Sequence, residues 1–226
     1  MTKQSKCYQN IIFDLDGTLS DPSVGIFNGF RKALSKMDVK NVDESIFSLM
    51  IGPPLQDSFK KYFFEDDKQI LEAVGHFRDY YSKIGLLENK VYDGIPQLLE
   101  QLKQKGKKMF VATNKPQPFA DRILVHFNLA HYFDSIHGVD INPLKGKSCK
   151  VELLDIILKE MNEQEMNQTI IVGDTIYDVE AGKQFKIDTA AITYGFGLKK
   201  SLSITQPTIL LDSVGQLEDF LISSNK

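Results

Sequence analysis

Cysteine is almost missing from this chain of 226 residues, with only Cys7 and Cys149. Two such cysteines exclude a disulfide framework and fit a reducing compartment, and neither has a CxxC partner of the kind zinc or dithiol chemistry uses. Long apolar runs are missing too, so no segment has the ~20 apolar residues a membrane-spanning helix needs. The opening MTKQSKCYQN is polar where a secretory signal would be apolar. Positive charge is not in excess: 27 Lys and Arg stand against 30 Asp and Glu, a formal net charge of −3. That balance gives no general attraction to nucleic acid or acidic membranes. His76, His126, His131 and His137 form no metal-ligand spacing. Gly195-Phe196-Gly197 lacks the third glycine of a dinucleotide fingerprint and ends a late strand, so it is read as background. The expectation from these absences is a cytoplasmic protein with neither nucleic acid nor membrane as partner, acting as a monomer or homodimer.

What is present is an alternation. The short apolar runs IIF (11–13), MFVAT (109–113), TIIVGD (169–174), TAAIT (189–193) and TILL (208–211) read as buried strands, with SIHGVD (135–140) as a weaker one. Helical spacing of apolar residues falls between them, over 94–106, 116–129, 150–161 and 177–186. Strands alternating with helices imply an α/β fold with a Rossmann-like parallel sheet, covered on both faces and therefore built from all-apolar strands. Residues 22–90 break the rhythm with helix after helix, over 24–37, 43–50, 54–64 and 68–85. That block is too long for a βα loop. The chain is accordingly expected to have an α/β core of residues 1–20 and 91–226 and an inserted small helical domain of residues 21–90.

Three apolar strands end in polar chemistry: Asp14-Leu15-Asp16, then Thr113-Asn114-Lys115, then Asp174 with Asp178 one helical turn on. Open parallel sheets bind ligands outside the carboxyl ends of their strands, so residues distant in sequence can meet there. Asp14, Asp16 and Asp174 would crowd carboxylates together, and a hard cation resolves such crowding; Mg²⁺ held by carboxylates and a phosphate is the usual form. Singly, DGT and TNKP read as turns and GDT as a helix start. Jointly, at the ends of three strands, they read as one site.

The motifs DLDGTL (14–19), VATNKP (111–116) and VGDTIYDVEAG (172–182) resemble, in order and rough spacing, the signatures of the haloacid dehalogenase superfamily of phosphohydrolases. The helical block, IGPPLQDSF (51–59) and the closing TYGFGLKKSL resemble its phosphoglycolate phosphatase-like branch, where the block is a cap domain. The likeness covers nearly the whole chain.

The resemblance implies that Asp14 is the nucleophile and forms an aspartyl-phosphate. It implies that Asp16 protonates the leaving oxygen and then activates water. Mg²⁺ would be held by Asp14, the Asp16 carbonyl and Asp174, with Asp178 behind them, although a helix N-terminal carboxylate explains Asp178 equally well. Thr113, the Asn114 N–H and a lysine would bind the phosphoryl group. The lysine is Lys150, just before VELLDII, with Lys147 and then Lys145 as alternatives, because the Lys-Pro-x-Pro form of the motif is absent. Gly52 and Pro53 of the cap loop, with Asp21 at the domain boundary, would contribute to choice of substrate. The implied activity is hydrolysis of small-molecule phosphomonoesters, phosphoglycolate phosphatase-like or 5′-nucleotidase-like. A phosphosugar mutase and a pyrophosphatase of the same superfamily are alternatives. A dehalogenase would have no use for Asp16 as an acid. A phospho-aspartate signalling domain is shorter and lacks the inserted helices.

Overall fold

A computed structural model describes residues 6–140, 150–159 and 161–223. Lys145, Lys147, Cys149 and the last three residues lie outside this range. The chain divides into two compact units, residues 1–20 with 91–226 and residues 21–90.

The first unit is a six-stranded sheet. Its strands are β1 (Asn10–Phe13), β4 (Lys108–Pro116), β5 (Ser135–Val139), β6 (Thr169–Gly173), β7 (Asp188–Ile192) and β8 (Ile209–Leu211). The order is β5-β4-β1-β6-β7-β8, and every described pairing is parallel. Two very short strands, β2 (Ser20–Asp21) and β3 (Lys90–Val91), pair where the chain leaves this unit and returns. The crossovers are α4 (Ile95–Gln104), α5 (Gln117–His126), α6 (Lys150–Leu158), the short α7 (Glu163–Asn167), α8 (Ile176–Gln184) and α9 (Lys199–Ile204), with α10 (Val214–Ser223) closing the chain.

Apolar strands sit in the middle because both faces of the sheet are covered. Ile11, Ile12 and Phe13 are wholly buried. Ile12, Ala112 and Ile171, neighbours on β1, β4 and β6, pack with Leu154 of α6 and Ala181 of α8. Removing each such large side chain from water contributes roughly 1.5–3 kcal/mol. β1 therefore lies between β4 and β6 at the centre, and whatever follows Phe13 is carried to the middle of the sheet's carboxyl edge. One strand departs from the sequence reading: β4 runs on to Pro116, with a register irregularity against β5 between Thr113 and Pro116. TNK is thus the irregular end of a strand.

The second unit holds α1 (Ser23–Lys36), α2 (Leu55–Tyr62) and α3 (Asp67–Tyr80). Residues Glu44–Met50, read as a helix from their spacing, form a tighter 3₁₀ turn, started by the Asp43 carboxylate accepting from the Ser45 N–H. Its core is aromatic: Phe30 packs against Phe47, Phe59 and Phe77 in tilted and edge-on contacts at ring-centre distances of 5.3, 5.8 and 5.0 Å. Among the described residues no helix is long and apolar enough to cross a membrane.

Candidate active site

The ladder between β1 and β6 continues one residue beyond Phe13, the Asp14 N–H donating to the Val172 carbonyl at 2.9 Å. This fixes the Asp14 backbone at the sheet's edge. The chain then turns tightly, with the N–H groups of Thr18, Leu19 and Ser20 all donating to the Leu15 carbonyl. Gly17 permits the turn at φ +80°, and a Cβ there would stand 2.2 Å from Asp174 Oδ2. Its glycine is required both by the left-handed backbone and by the acid packed on it.

Asp174 follows β6 directly and is completely buried. Its Oδ2 accepts from the Phe196 N–H at 2.8 Å, and its Oδ1 accepts from the Thr18 hydroxyl at 3.3 Å. The loop after β7 makes this possible. A Cβ at Gly195 would lie 2.5 Å from Asp174 Oδ2, and one at Gly197 would lie 1.8 Å from the Asp174 carbonyl oxygen. Gly195-Phe196-Gly197 is therefore the wall and donor of the Asp174 pocket, which corrects its reading as background. The missed signal was steric and non-local: the residue excluding a side chain there is more than twenty positions away.

Asp178 lies in the first turn of α8, where its Oδ2 accepts from the Thr175 N–H (3.1 Å) and the Thr175 hydroxyl (2.7 Å). It caps the helix, and its other oxygen lies beside Lys150. Lys150, at the start of the described part of α6, is 2% exposed. Its ammonium donates to the Ala112 carbonyl at 2.7 Å and pairs with Asp14 Oδ2 at 2.9 Å and Asp178 Oδ1 at 2.8 Å. The ammonium thus meets one carbonyl and two carboxylates that come from distant parts of the chain.

Carboxylate oxygens of Asp14, Asp174 and Asp178 lie within 4.8 Å of one another. One buried cation faces three acids, and the electrostatics register the excess. Burial, with repulsion from Asp14 and Asp178, pushes Asp174 up to about 8. Burial pushes Asp14 up to about 6 against the opposing pull of Lys150. For Lys150 itself, burial acts to lower the pKa, but Asp14 and Asp178 outweigh it and hold the ammonium above its ordinary range. Oxygen-only donors, surplus negative charge and closely packed backbone around Asp174 fit a small divalent cation such as Mg²⁺. Asp14, Asp174 and Asp178 are the residues that could hold it.

Asp16 and the end of β4 form the other half. The Asp16 side chain is 25% exposed, and its Oδ2 pairs with the ammonium of Lys115, which is 4% exposed, at 2.5 Å. Thr113 is buried, and its Oγ1 accepts from the Lys115 N–H at 3.2 Å. Asn114 lies in the strand with its side chain exposed. The sequence places Lys115 with Thr113 and Asn114 at a polar strand end but assigns it no role; its contact with Asp16 is what the structure adds. Three further candidates belong to the unit of residues 21–90. Asp21 accepts from the Ser23 N–H at 2.9 Å at the start of α1. Gly52, at φ +101°, and Pro53 are exposed in the turn before α2.

The model of the haloacid dehalogenase-like hydrolase family matches residues 11–192. A protein of Pseudomonas aeruginosa named 5′-nucleotidase is 34% identical over 216 residues, 96% of each chain. A phosphoglycolate phosphatase of Aquifex aeolicus is 34% identical over 186 residues, 82% of this chain and 85% of that one. The tyrosine-protein kinase PtkA of Mycobacterium tuberculosis is 32% identical over 202 residues, 89% of this chain and 68% of that one. Its solved structure superposes with a TM-score of 0.81 at 30% identity, covering 96% of this chain and 99% of that chain.

Proposed function

The chain belongs to the haloacid dehalogenase-like hydrolase family, and from that premise we propose that it is a Mg²⁺-dependent phosphomonoesterase working through an aspartyl-phosphate on Asp14. The observation that carries this reading is the buried Asp14, held against Lys150 with the oxygens of Asp174 and Asp178 gathered within 4.8 Å. When bound, Mg²⁺ would neutralise repulsion between the phosphoryl group and the acids and orient that group.

The rest of the chemistry is assigned to the chain's own groups. A carboxylate oxygen of Asp14 attacks phosphorus in line with the leaving oxygen, which receives its proton from Asp16. Asp16, now ionised, takes a proton from water, and that water releases phosphate and restores Asp14. Lys150 holds the attacking carboxylate in place from the side facing Asp178 and balances charge as it is consumed. The Thr113 hydroxyl and the Asn114 N–H are assigned to the equatorial oxygens of the phosphoryl group. We assign residues 21–90 as the cap of this reaction, excluding water while the aspartyl-phosphate forms and admitting it for hydrolysis. Gly52, Pro53 and Asp21 are then its candidates for substrate contact. The names of the relatives favour two substrate classes, nucleoside 5′-monophosphates and phosphoglycolate.

A panel of phosphomonoesters assayed for phosphate release with and without Mg²⁺ tests this reading. The expected result is Mg²⁺-dependent turnover of a member of one of these classes, reduced about 10⁴-fold or more in Asp14→Asn. Undiminished release by that variant would remove the nucleophile. Transfer of phosphate from ATP to a tyrosine peptide, with no ester hydrolysis, would put the chain with its kinase-named relative instead.

A further inference from the structure

Asp174 is held from two sides, and the two holds are tied to each other. Its Oδ1 accepts from the hydroxyl of Thr18, a wholly buried residue of the turn after β1, and its Oδ2 accepts from the Phe196 N–H of the loop after β7. Two residues before Phe196, the Tyr194 hydroxyl donates to the Thr18 carbonyl at 3.1 Å. These contacts close a ring that runs from Asp174 through Thr18 to Tyr194 and back through Phe196. Gly195 is part of it and has no room for a side chain, since a Cβ there would stand 2.4 Å from the Gly17 carbonyl oxygen. The Tyr194 ring is backed edge-on by Tyr92, at a ring-centre distance of 5.0 Å.

The reading above gives Tyr194 no part, and its hydroxyl donates to a backbone carbonyl rather than to an acid. Its effect is therefore on placement. Each carboxylate oxygen can accept more than one partner, so a single donor on each oxygen fixes the Asp174 carboxylate and still leaves room for a cation. A group fixed in advance loses little freedom when it binds. We propose that Tyr194 is a positioning residue for the cation: by tying the Thr18 arm to the Phe196 arm it holds Asp174 in one orientation and makes the cluster selective for Mg²⁺ over Ca²⁺. This rests on the cation assigned to Asp14, Asp174 and Asp178. Selectivity follows from rigidity, because Mg²⁺ demands near-ideal octahedral geometry at about 2.0–2.1 Å, whereas Ca²⁺ accepts variable geometry at about 2.3–2.6 Å. Loosening the carboxylate costs the exacting ion more than the tolerant one.

A residue that only supported the fold would weaken the folded protein and leave the ratio of the two affinities unchanged. Calorimetric titration of the metal-free protein with MgCl₂ and with CaCl₂ reads that ratio without any turnover. Partners that orient a metal ligand are worth about 10–100-fold in affinity. Tyr194→Phe, which removes one oxygen atom, should lower Mg²⁺ affinity about 10-fold and Ca²⁺ affinity less than about 3-fold. Thr18→Val should lower Mg²⁺ affinity at least as much, while Thr18→Ser, which keeps the hydroxyl, should stay within about 3-fold of the wild type. The double variant Thr18→Val with Tyr194→Phe should lose less than the product of the two single losses, because both residues act on one carboxylate. Mg²⁺ affinity of Tyr194→Phe within about 3-fold of the wild type, or equal losses of both ions, would overturn the proposal. Should Tyr194→Phe fail to fold, Tyr194→Leu is titrated with the same criteria. Failure of the cation reading is separate, since it shows as no Mg²⁺ binding by the wild type.

Discussion

The two strands beside β1 end in opposite ways. On the β6 side the edge is acidic: Asp174 is sealed by Gly17 and the Gly195–Gly197 loop, and Asp178 follows in the first turn of α8. On the β4 side it offers donors: the Thr113 hydroxyl and the Lys115 ammonium. β1 places one acid toward each, Asp14 among the acids with Lys150 and Asp16 against Lys115. The difference teaches that one strand end can meet an acidic and a basic environment at once when its neighbours segregate charge. The acidic side is where repulsion accumulates, and Lys150, touching Ala112 as well as Asp14 and Asp178, joins the two sides.

Removing the joint has the largest expected effect. Lys150→Met leaves Asp14 and Asp178 buried against each other without their cation, an arrangement that costs about 3–5 kcal/mol of stability. Urea unfolding of the metal-free protein near neutral pH should show that loss, with turnover reduced about 10³-fold. A change below about 1 kcal/mol would mean that the acidic side does not depend on Lys150.

Asp174→Asn should move stability the other way. The folded-state pKa of Asp174 lies near 8, above its unfolded value near 4. Between those values the folded protein keeps a proton the unfolded chain has lost, so this group makes stability fall as pH rises, and the penalty is complete only above about 8. In metal-free protein the variant should gain on the wild type by about 2–4 kcal/mol at alkaline pH and by almost nothing near pH 4. Mg²⁺ should stabilise the wild type and leave the variant unchanged. Denaturant melts over a pH series, with and without Mg²⁺, check both statements; a difference independent of pH would contradict the assigned repulsion.

The smallest effect is expected from Asn114→Ala. Its side chain is exposed and the role proposed for it is confined to its backbone N–H, so kcat/KM should change by less than about 3-fold, as is usual for a surface substitution. A fall approaching that of an oxyanion donor, about 10²-fold, would bring the side chain into the donor side.

The fold was legible because its signals are local. All-apolar runs such as IIF and TIIV announce doubly covered strands, and the helical spacing between them announces crossovers. The strand ends that carry Asp14, Thr113 and Asp174 could be read for the same reason. Other parts of the site depend on contacts that local patterns do not encode. Lys150 stands out from Lys145 and Lys147 in the sequence only by likeness to a family. Lys115 looks like any lysine leaving a strand until the β4 irregularity returns it to Asp16. Gly195 and Gly197 have meaning only once Asp174 is placed against them. The segment 44–50 reads as one more helix, whereas the Asp43 cap starts a 3₁₀ turn there.

The central claim is that Asp14 carries the phosphoryl group and Asp16 is needed to remove it. Asp16→Asn protein, incubated with Mg²⁺ and p-nitrophenyl phosphate and quenched in acid, can be mapped by mass spectrometry. The account predicts one phosphoryl group on the peptide containing Asp14, lost on treatment with hydroxylamine and missing when Asp14→Asn is added. A phosphoryl group on any other residue, or the same modification persisting without Asp14, would contradict it.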